Sequence, residues 1–258
     1  MQYIDTHAHY NDEIFLKNQE EILDKCRKAS VEAIVNVGYD LSSSIDSINL
    51  SNKYDYIYCA IGVHPHDVDN FTARDIEKLY HEAMEKGLLN RLVGIGEIGL
   101  DYAFVKDNKE KQKKLFIDQI ELANKLGLPI IIHSRDAAED TYNVLKEHEP
   151  KYGALFHCFQ PSDDLVRLVI DKKYFVAFGG NITYKRNESF KKYVLQIPLE
   201  QIVIETDSPY LAPVPLRGTV NDSSNLKIIC KKLADYKGMT EEYVADKVYK
   251  NAIDFFKM

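Results

Sequence analysis

The sequence is poor in the residues that mark secreted, fibrous or low-complexity proteins. It contains no tryptophan, four cysteines, 12 glycines and 8 prolines in 258 residues. The cysteines are scattered without a C-x-x-C pair, which argues against a disulfide framework and against a zinc knuckle. So little glycine and proline also excludes a collagen-like or low-complexity chain.

Long hydrophobic runs and an excess of positive charge are absent as well. No apolar stretch approaches the roughly 20 residues that cross a bilayer, and the first residues lack the basic and apolar regions of a signal peptide. We therefore expect a cytoplasmic protein without membrane association. The formal net charge of −7 argues against a broad basic surface that coats duplex nucleic acid, although it allows a small basic patch around a site.

Short apolar segments rich in isoleucine and valine alternate with longer amphipathic segments along the whole chain. The short segments suit strands that are buried on both faces, and they cover Gln2–Asp5, Ala33–Val37, Ile57–Ile61, Leu92–Gly96, Pro129–His133, Ala154–His157, Tyr174–Phe178 and Ile202–Thr206. The amphipathic segments predict helices at Glu20–Ala29, Ile45–Lys53, Arg74–Lys86, Lys111–Leu126, Ala137–Glu147, Asp163–Asp171, Glu188–Leu195 and Leu226–Tyr236.

Eight strands, each followed by a helix, predict one parallel barrel. A chain of 258 residues also has the usual length of a (β/α)8 TIM barrel, about 250 residues, so we expect an α/β protein with a single domain over residues 1–258. An extra C-terminal helix is expected at Glu241–Phe256, with Thr240 as its N-cap. A doubly wound open sheet shows the same alternation, but no glycine-rich phosphate motif follows the first strand.

Polar side chains stand at the carboxyl ends of the predicted strands, where barrels carry their reactive groups. His7 and His9 lie two residues apart, so both point to the same side of an extended chain. Glu97 lies in an apolar, glycine-flanked strand, where a carboxylate requires either a metal or a basic partner. His133 and His157 each end a strand, and either one alone would be an ordinary core histidine.

The eighth strand adds two carboxylates at the same end of the barrel. Glu205 and Asp207 share one face by alternation and repel each other unless a cation lies nearby, which indicates one metal ligand and one supporting residue. The candidate ligands are then His7, His9, Glu97, His133, His157 and Asp207. Six ligands exceed the three of a catalytic zinc and suit two metals about 3.5–4 Å apart with one bridging carboxylate.

Two other residues near these strand ends are interpreted as structural rather than as ligands. Asp101 follows Glu97 in the same segment and remains open as a helix-start or loop residue. Cys158 neighbours His157, so alternation predicts that its side chain points to the opposite face, into the packing against the helices.

Six sequence blocks connect the chain to a known family. They are DTHAH, GVHPHD, EIGLDY, IIIHSRDA, FHCF and ETDSPYLAP, in that order. In these blocks the chain resembles the TatD family of metal-dependent hydrolases, a barrel branch of the amidohydrolase superfamily. The resemblance implies one metal held by His7, His9, Glu97 and Asp207, and a second held by Glu97, His133 and His157. It also implicates His64 in the site, whereas His66 is expected to be a surface-loop residue.

Two segments depart from the family pattern. Gln160 and Pro161 follow the FHCF block where relatives often have Ser-Gly, and Thr219–Ser223 lacks the basic pair and the Glu-Pro of many relatives. Neither departure touches the implied ligands, so both bear on substrate preference.

The resemblance implies a deoxyribonuclease that hydrolyses phosphodiesters with a hydroxide formed between two metals. Asp207 would orient that nucleophile and accept its proton, and His64, Arg135 and Arg217 are candidate phosphate contacts. The acidic balance favours single-stranded DNA or strand ends as the substrate, and therefore exonucleolytic cleavage.

Two interpretations from other classes stay open. The same hydroxide attacks a carbonyl carbon, so an amide or ester hydrolase of small molecules fits the ligand set equally well. A non-enzymatic, metal-binding scaffold is the third possibility. Four imidazoles favour zinc, manganese or nickel, and magnesium remains a candidate. No obligate protein partner is inferred.

Overall fold

Each strand of the sheet pairs in parallel with the next strand along the chain, from the first to the eighth. The computed structural model describes residues 1–104 and 107–258, and the strands within them are Tyr3–Ala8 (β1), Val31–Val37 (β2), Ile57–Ile61 (β3), Leu92–Asp101 (β4), Ile130–Arg135 (β5), Ala154–Phe156 (β6), Phe175–Phe178 (β7) and Ile202–Ile204 (β8). Between β8 and β1, Ala8 and Ser208 form an isolated bridge, and the amide of His9 donates to the carbonyl of Ser208 at 2.8 Å. The sheet therefore curls into a nearly closed barrel, which confirms the predicted fold class.

The helices surround this barrel. Those in the described residues are Gln19–Lys28 (α1), Leu41–Lys53 (α2), Ala73–Glu85 (α3), Lys109–Leu126 (α4), Ala138–Glu147 (α5), Asp163–Lys172 (α6), Lys191–Gln196 (α7), Leu226–Lys237 (α8) and Glu241–Phe256 (α9). The hydroxyl of Thr240 accepts from the amide of Tyr243, so the predicted N-cap of the extra C-terminal helix is confirmed. None of these helices combines the length and the apolar character that a membrane crossing requires.

The helix α9 packs against the amino ends of the strands. Phe255 and Phe256 join a buried cluster with side chains from inside the barrel, such as Val35 and Leu155. The side-chain amide of Asn251 donates to the carbonyls of Leu199 and Ile202, both at 2.7 Å, just before and at the start of β8. Helix α9 thus covers the amino end of the barrel, and the predicted site residues gather at the opposite, carboxyl end.

Several elements differ in their bounds from the sequence prediction, and three of these differences are the largest or concern the site. Strand β1 continues from the predicted end at Asp5 to Ala8, and β4 continues from Gly96 to Asp101. Both continuations carry polar side chains that interrupt the apolar pattern, but backbone pairing to the neighbouring strand does not depend on side-chain polarity. The predicted seventh helix begins as a 3-10 helix over Lys185–Phe190, which has no buried residue to hold an α-helix in place, before α7 starts.

Candidate metal centre

Glu97 lies at the centre of the mouth, and its two carboxylate oxygens face different groups of histidines. Oε1 is 2.7 Å from Nδ1 of His133 and 2.8 Å from Nε2 of His157. Oε2 is 3.4 Å from Nε2 of His7 and 3.9 Å from Nε2 of His9. Only 5% of Glu97 is exposed, so this carboxylate is shared by both groups inside the protein.

The first group closes around the end of β1. Nε2 of His7 and Nε2 of His9 lie 3.1 Å apart, and Oδ1 of Asp207 is 3.9 Å from the former and 3.4 Å from the latter. The carbonyl of Val37 contacts Nδ1 of His9 at 2.9 Å, which leaves Nε2 of that ring facing the group. All three side chains therefore present one atom to a common point, as the alternation along β1 predicts for the two histidines.

The second group is formed by the ends of β5 and β6. Nδ1 of His133 and Nε2 of His157 are 3.1 Å apart, and both contact Oε1 of Glu97. The rings of His157 and His7 stack at 4.0 Å between centroids, so the second group lies directly beside the first. The six side chains predicted as ligands are thus brought together, while their role as ligands stays a prediction.

The donor set fits divalent metals. Ligand atoms about 2.0–2.1 Å from a tetrahedral ion lie about 3.3 Å from one another, and the separations within the two groups run from 2.7 to 3.9 Å. Two imidazole nitrogens at 3.1 Å can share at most one proton, whereas a cation between them satisfies both lone pairs. Buried polar atoms without a hydrogen-bond partner also cluster here, on His7, His157 and Glu205.

The protonation of the site suits metal binding. Burial, together with the neighbouring His157, lowers the pKa of His7 to about 4, so this ring is neutral near pH 7 and keeps a free lone pair. Burial opposes ionisation of Glu97, but His157 and His133 hold its pKa well below the usual range. His7 and Glu97 therefore have the forms that coordinate metals. At His9, His133 and His157 burial is outweighed by neighbouring carboxylates, which raise their pKa values, so metal binding displaces protons from these rings.

Glu205 supports the second group from behind. It is fully buried, its Oε1 accepts from the amide of Cys158 at 2.5 Å, and the same oxygen is 3.6 Å from Nδ1 of His157. Burial raises the pKa of Glu205 to about 7. Strand β8 ends at Ile204, and the backbone of Asp207 is left-handed with φ 57°, so strand alternation is not what places Glu205 and Asp207 side by side.

The prediction for Cys158 is wrong. Strand β6 ends at Phe156, and the backbone of Cys158 is left-handed with φ 42°, so alternation no longer applies two residues beyond the strand. Its side chain lines the cleft at the mouth, and its Sγ contacts Nδ2 of Asn181 at 3.2 Å.

Sequence reasoning also missed a pair of residues beside the second group. Asp101 is the last residue of β4 and is 1% exposed, and its Oδ2 lies 3.1 Å from Nε2 of His133 and 3.1 Å from Nε2 of His66. His66 is exposed, as expected of a surface-loop residue, and it also contacts this buried carboxylate. Nε2 of His64 lies 3.7 Å from Oε1 of Glu97, which places the predicted substrate residue at the edge of the centre.

A cleft of 490 Å³ opens from the second group. Arg135 and Arg186 line it, and the Arg135 guanidinium lies 4.7 Å from the ring centroid of the exposed Phe104. Arg217 lies over the ring of Tyr184 at 4.8 Å and is not among the described residues that line this cleft. The cleft thus presents two positive charges beside the candidate metal ligands.

The two departing segments have different surroundings. Gln160 lines the cleft, so it is placed to affect substrate preference. In the second segment, Asn221 donates to the carbonyls of Thr206 and Tyr210, and buried Ser223 donates to Asp5 at 2.6 Å. That loop therefore connects the segment after β8 to β1 by hydrogen bonds.

Comparisons with known proteins give matches along nearly the whole chain. Residues 4–257 match the family model described as TatD related DNase. The metal-dependent hydrolase YabD of Bacillus subtilis is 38% identical over 255 residues, which cover 98% of each chain. A metal-dependent hydrolase of Methanocaldococcus jannaschii is 33% identical over 258 residues, covering 100% of this chain and 98% of its own. The crystal structure of YJJV, a TatD homologue of Escherichia coli, aligns with a TM-score of 0.91 at 26% identity and covers 99% of this chain and 98% of that one.

Proposed function

The chain belongs to the TatD-related DNase family of metal-dependent hydrolases, and from this premise we propose that it is a two-metal phosphodiesterase that cleaves DNA from a strand end. The observation that carries the proposal is the placement of Glu97, whose Oε1 faces His133 and His157 while Oε2 faces His7 and His9. A carboxylate between two sets of ligands can be shared by two neighbouring metals, which supports a two-metal site.

Each group would hold one divalent ion. His7, His9 and Asp207 with one oxygen of Glu97 would bind the first, and His133 and His157 with the other oxygen would bind the second. When bound, such ions lower the pKa of coordinated water and neutralise charge on phosphate oxygens. Nitrogen-rich ligands favour zinc, manganese or nickel, and magnesium remains a candidate.

In this proposal Asp207 accepts a proton from the attacking water. Burial works against its charge, but the hydrogen bond with His9 and the nearby histidines keep its pKa below the usual value. The carboxylate is therefore ionised near pH 7 and able to act as a general base. Its position at the end of β8, beside both groups, brings it to the edge of the cleft.

His64 is the group placed to donate a hydrogen bond to a phosphate oxygen. The amide of His66 donates to Nδ1 of His64 at 3.2 Å, so the proton of the neutral ring lies on Nε2. Burial and the neighbouring His133 lower the pKa of His64 well below its usual value, which keeps the ring neutral. A neutral N–H donor can therefore hydrogen-bond to a phosphate oxygen without forming an ion pair with Glu97, as a protonated ring would.

The charge around the mouth favours a strand that ends at the centre. Arg135 and Arg186 line the cleft at the second group, together with a single further carboxylate outside the ligand set among the described residues, Asp136. Next to the first group, a pocket beside Tyr39, whose ring packs against His9, is lined by Asp12, Glu13, Asp40 and Asp46. A nucleic-acid backbone carries one charge per phosphate, so the arginines attract the approaching strand and the carboxylates repel its continuation past the centre.

An activity panel on the metal-loaded protein tests this proposal. We expect stepwise shortening of end-labelled single-stranded DNA and slow or no cleavage of covalently closed circles. Hydrolysis of amides or lactones without cleavage of any nucleic acid would move the assignment to a small-molecule hydrolase. No turnover of any substrate by protein that holds its metals would favour a non-enzymatic scaffold.

A further inference from the structure

We propose that Asp101 is a positioning residue that holds two histidines of the mouth at once. It fixes the ring of His133 with Nδ1 toward the second metal, and it orients His66 at the entrance beside His64. The inference rests on the two-metal centre proposed above and adds to it a residue outside the six ligands.

The carboxylate of Asp101 is held on every side. Its Oδ2 lies 3.1 Å from Nε2 of His133 and 3.1 Å from Nε2 of His66, and its Oδ1 accepts from the amide of Ala103 at 2.9 Å. Its own amide donates to Oε1 of Gln112 at 2.9 Å. Because the side chain is buried and both oxygens are engaged, it has no freedom to rotate away from either histidine.

The tight pairing of β4 with β5 brings Asp101 to His133. Gly99 pairs with His133 in the sheet and has φ 140°, a backbone conformation that side chains rarely adopt. A Cβ at Gly99 would collide with the carbonyl oxygen of His133. The glycine therefore allows the close approach that places the carboxylate two residues later beside the imidazole.

The contact with Asp101 stabilises the tautomer of His133 that a metal ligand needs. Nδ1 of His133 faces Glu97 and His157, so this nitrogen must keep its lone pair to bind a metal. The single proton of the neutral ring then lies on Nε2, where Asp101 accepts it. A carboxylate behind a histidine ligand fixes the tautomer and the ring orientation in this way.

The same carboxylate connects the centre to the entrance. His66 is 38% exposed at its side chain, contacts Asp101 through Nε2, and packs edge-on against His64 with 4.4 Å between ring centroids. The amide of His66 also donates to Nδ1 of His64. Asp101 thus steadies His66, and His66 in turn steadies the ring proposed to contact the phosphate.

An alternative use of these residues is a third cation between Asp101, His64 and His133, because their ligand atoms lie within 4.8 Å of one another. That use would require His133 to lose its remaining proton and bridge two ions as an imidazolate. A hydrogen bond to Asp101 needs no such deprotonation, and this favours the positioning role.

The test compares Asp101→Asn with wild type and with a matched control, Asp140→Asn. Asp140 accepts from the hydroxyl of Tyr102 at 2.7 Å beside the end of β4 but contacts none of the six ligands. Both histidines contact Oδ2 and the amide of Ala103 donates to Oδ1, so an asparagine at position 101 turns its N–H₂ group either toward the histidines or toward that amide and cannot accept from all three. Zinc and cobalt binding are measured by competition with a chromophoric chelator, together with the absorption spectrum of the cobalt protein.

Wild type and Asp140→Asn should bind two ions per chain. Asp101→Asn should keep the first ion, bind the second about 10–100-fold more weakly, and show a changed cobalt spectrum for the second ion only. His66→Ala should keep both metal affinities and raise KM for a bis-aryl phosphate. Wild-type affinity and spectrum in a folded Asp101→Asn protein would overturn the proposal, as would a third ion per chain that this variant loses.

A second measurement does not depend on how the variant folds. In zinc-loaded wild type, long-range proton–nitrogen NMR should show the His133 proton on Nε2, and a proton on Nδ1 would contradict the inference. If wild-type protein binds no metal at all, the two-metal function itself fails. If it binds two ions and the variant is unchanged, only the role of Asp101 fails.

Discussion

Glu97→Ala removes the carboxylate that lies between the two groups of histidines. In the metal-free protein the change deletes contacts of 2.7 Å with His133 and 2.8 Å with His157 inside the protein. Breaking a buried pair of this kind costs about 3–5 kcal/mol. Since each kcal/mol shifts Tm by about 2–4 °C in a chain of this size, we expect Tm to fall by roughly 6–20 °C.

The fold itself should survive the change. The apolar side chains inside the barrel and between the barrel and its helices are untouched, and an ordinary domain has about 5–15 kcal/mol of stability. Turnover, by contrast, should fall to the background, because both proposed metals lose their shared ligand at once. We therefore expect a folded protein that unfolds cooperatively, holds little metal and does not hydrolyse phosphodiesters.

Circular dichroism melts, metal analysis and hydrolysis of a bis-aryl phosphate together check this prediction. Glu97→Gln is the matched variant, since it keeps the size of the side chain and one acceptor but loses the charge. Two metals and normal turnover in Glu97→Ala would refute the shared-ligand role. If the variant and metal-free wild type are both unfolded, the metals are structural, and the scaffold interpretation gains support.

Three further predictions concern residues around the centre. His64→Ala should lower kcat/KM by about 10–100-fold, the loss expected for one hydrogen bond to a charged group, with metal content unchanged; an unchanged rate would return His64 to an ordinary loop residue. Arg186→Ala should weaken DNA binding and reduce the log–log salt slope by about 1, whereas Arg217→Ala should leave the slope unchanged because Arg217 lies outside the cleft; equal effects of both changes would argue against the cleft as the path of the strand. Ser223→Ala should lower the free energy of unfolding by about 1–3 kcal/mol in denaturant titrations, because it leaves buried Asp5 short of one donor; its turnover should match wild type.

The barrel and the convergence of the six candidate ligands could be predicted because both follow from local pattern and one rule of topology. Alternating apolar segments indicate strands and helices, and in a parallel barrel every strand delivers its last residues to the same end. Residues as distant along the chain as His7 and Asp207 are therefore expected to meet. Their mutual distances, and which oxygen of Glu97 faces which group, depend on register that one sequence does not reveal.

The contacts of Asp101 and Cys158 were not predicted because the ends of β4 and β6 differ from the predicted ends. The positions 97, 99 and 101 alternate along one face of an extended chain, so the segment that delivers Glu97 also contains the signal for Asp101. The two glycines and the carboxylate at positions 94, 96 and 97 interrupt the apolar pattern, so the strand was predicted to end at Gly96. Its pairing with β5 nevertheless continues to Asp101. The prediction for Cys158 was wrong for the opposite reason, because it assumed strand alternation beyond the end of β6 at Phe156.

The two segments that differ from the family pattern, Gln160-Pro161 and Thr219–Ser223, have different roles in the structure. Asn221 and Ser223 are buried. Asn221 donates to the carbonyls of Thr206 and Tyr210, just after β8, and Ser223 donates to Asp5 of β1, so these bonds constrain sequence change in that loop. Gln160 instead lines the cleft together with Arg135 and Arg186. Differences in substrate choice from relatives are therefore expected to arise from the ends of β5 and β6 and from the segment after β7, rather than from the loop that precedes α8.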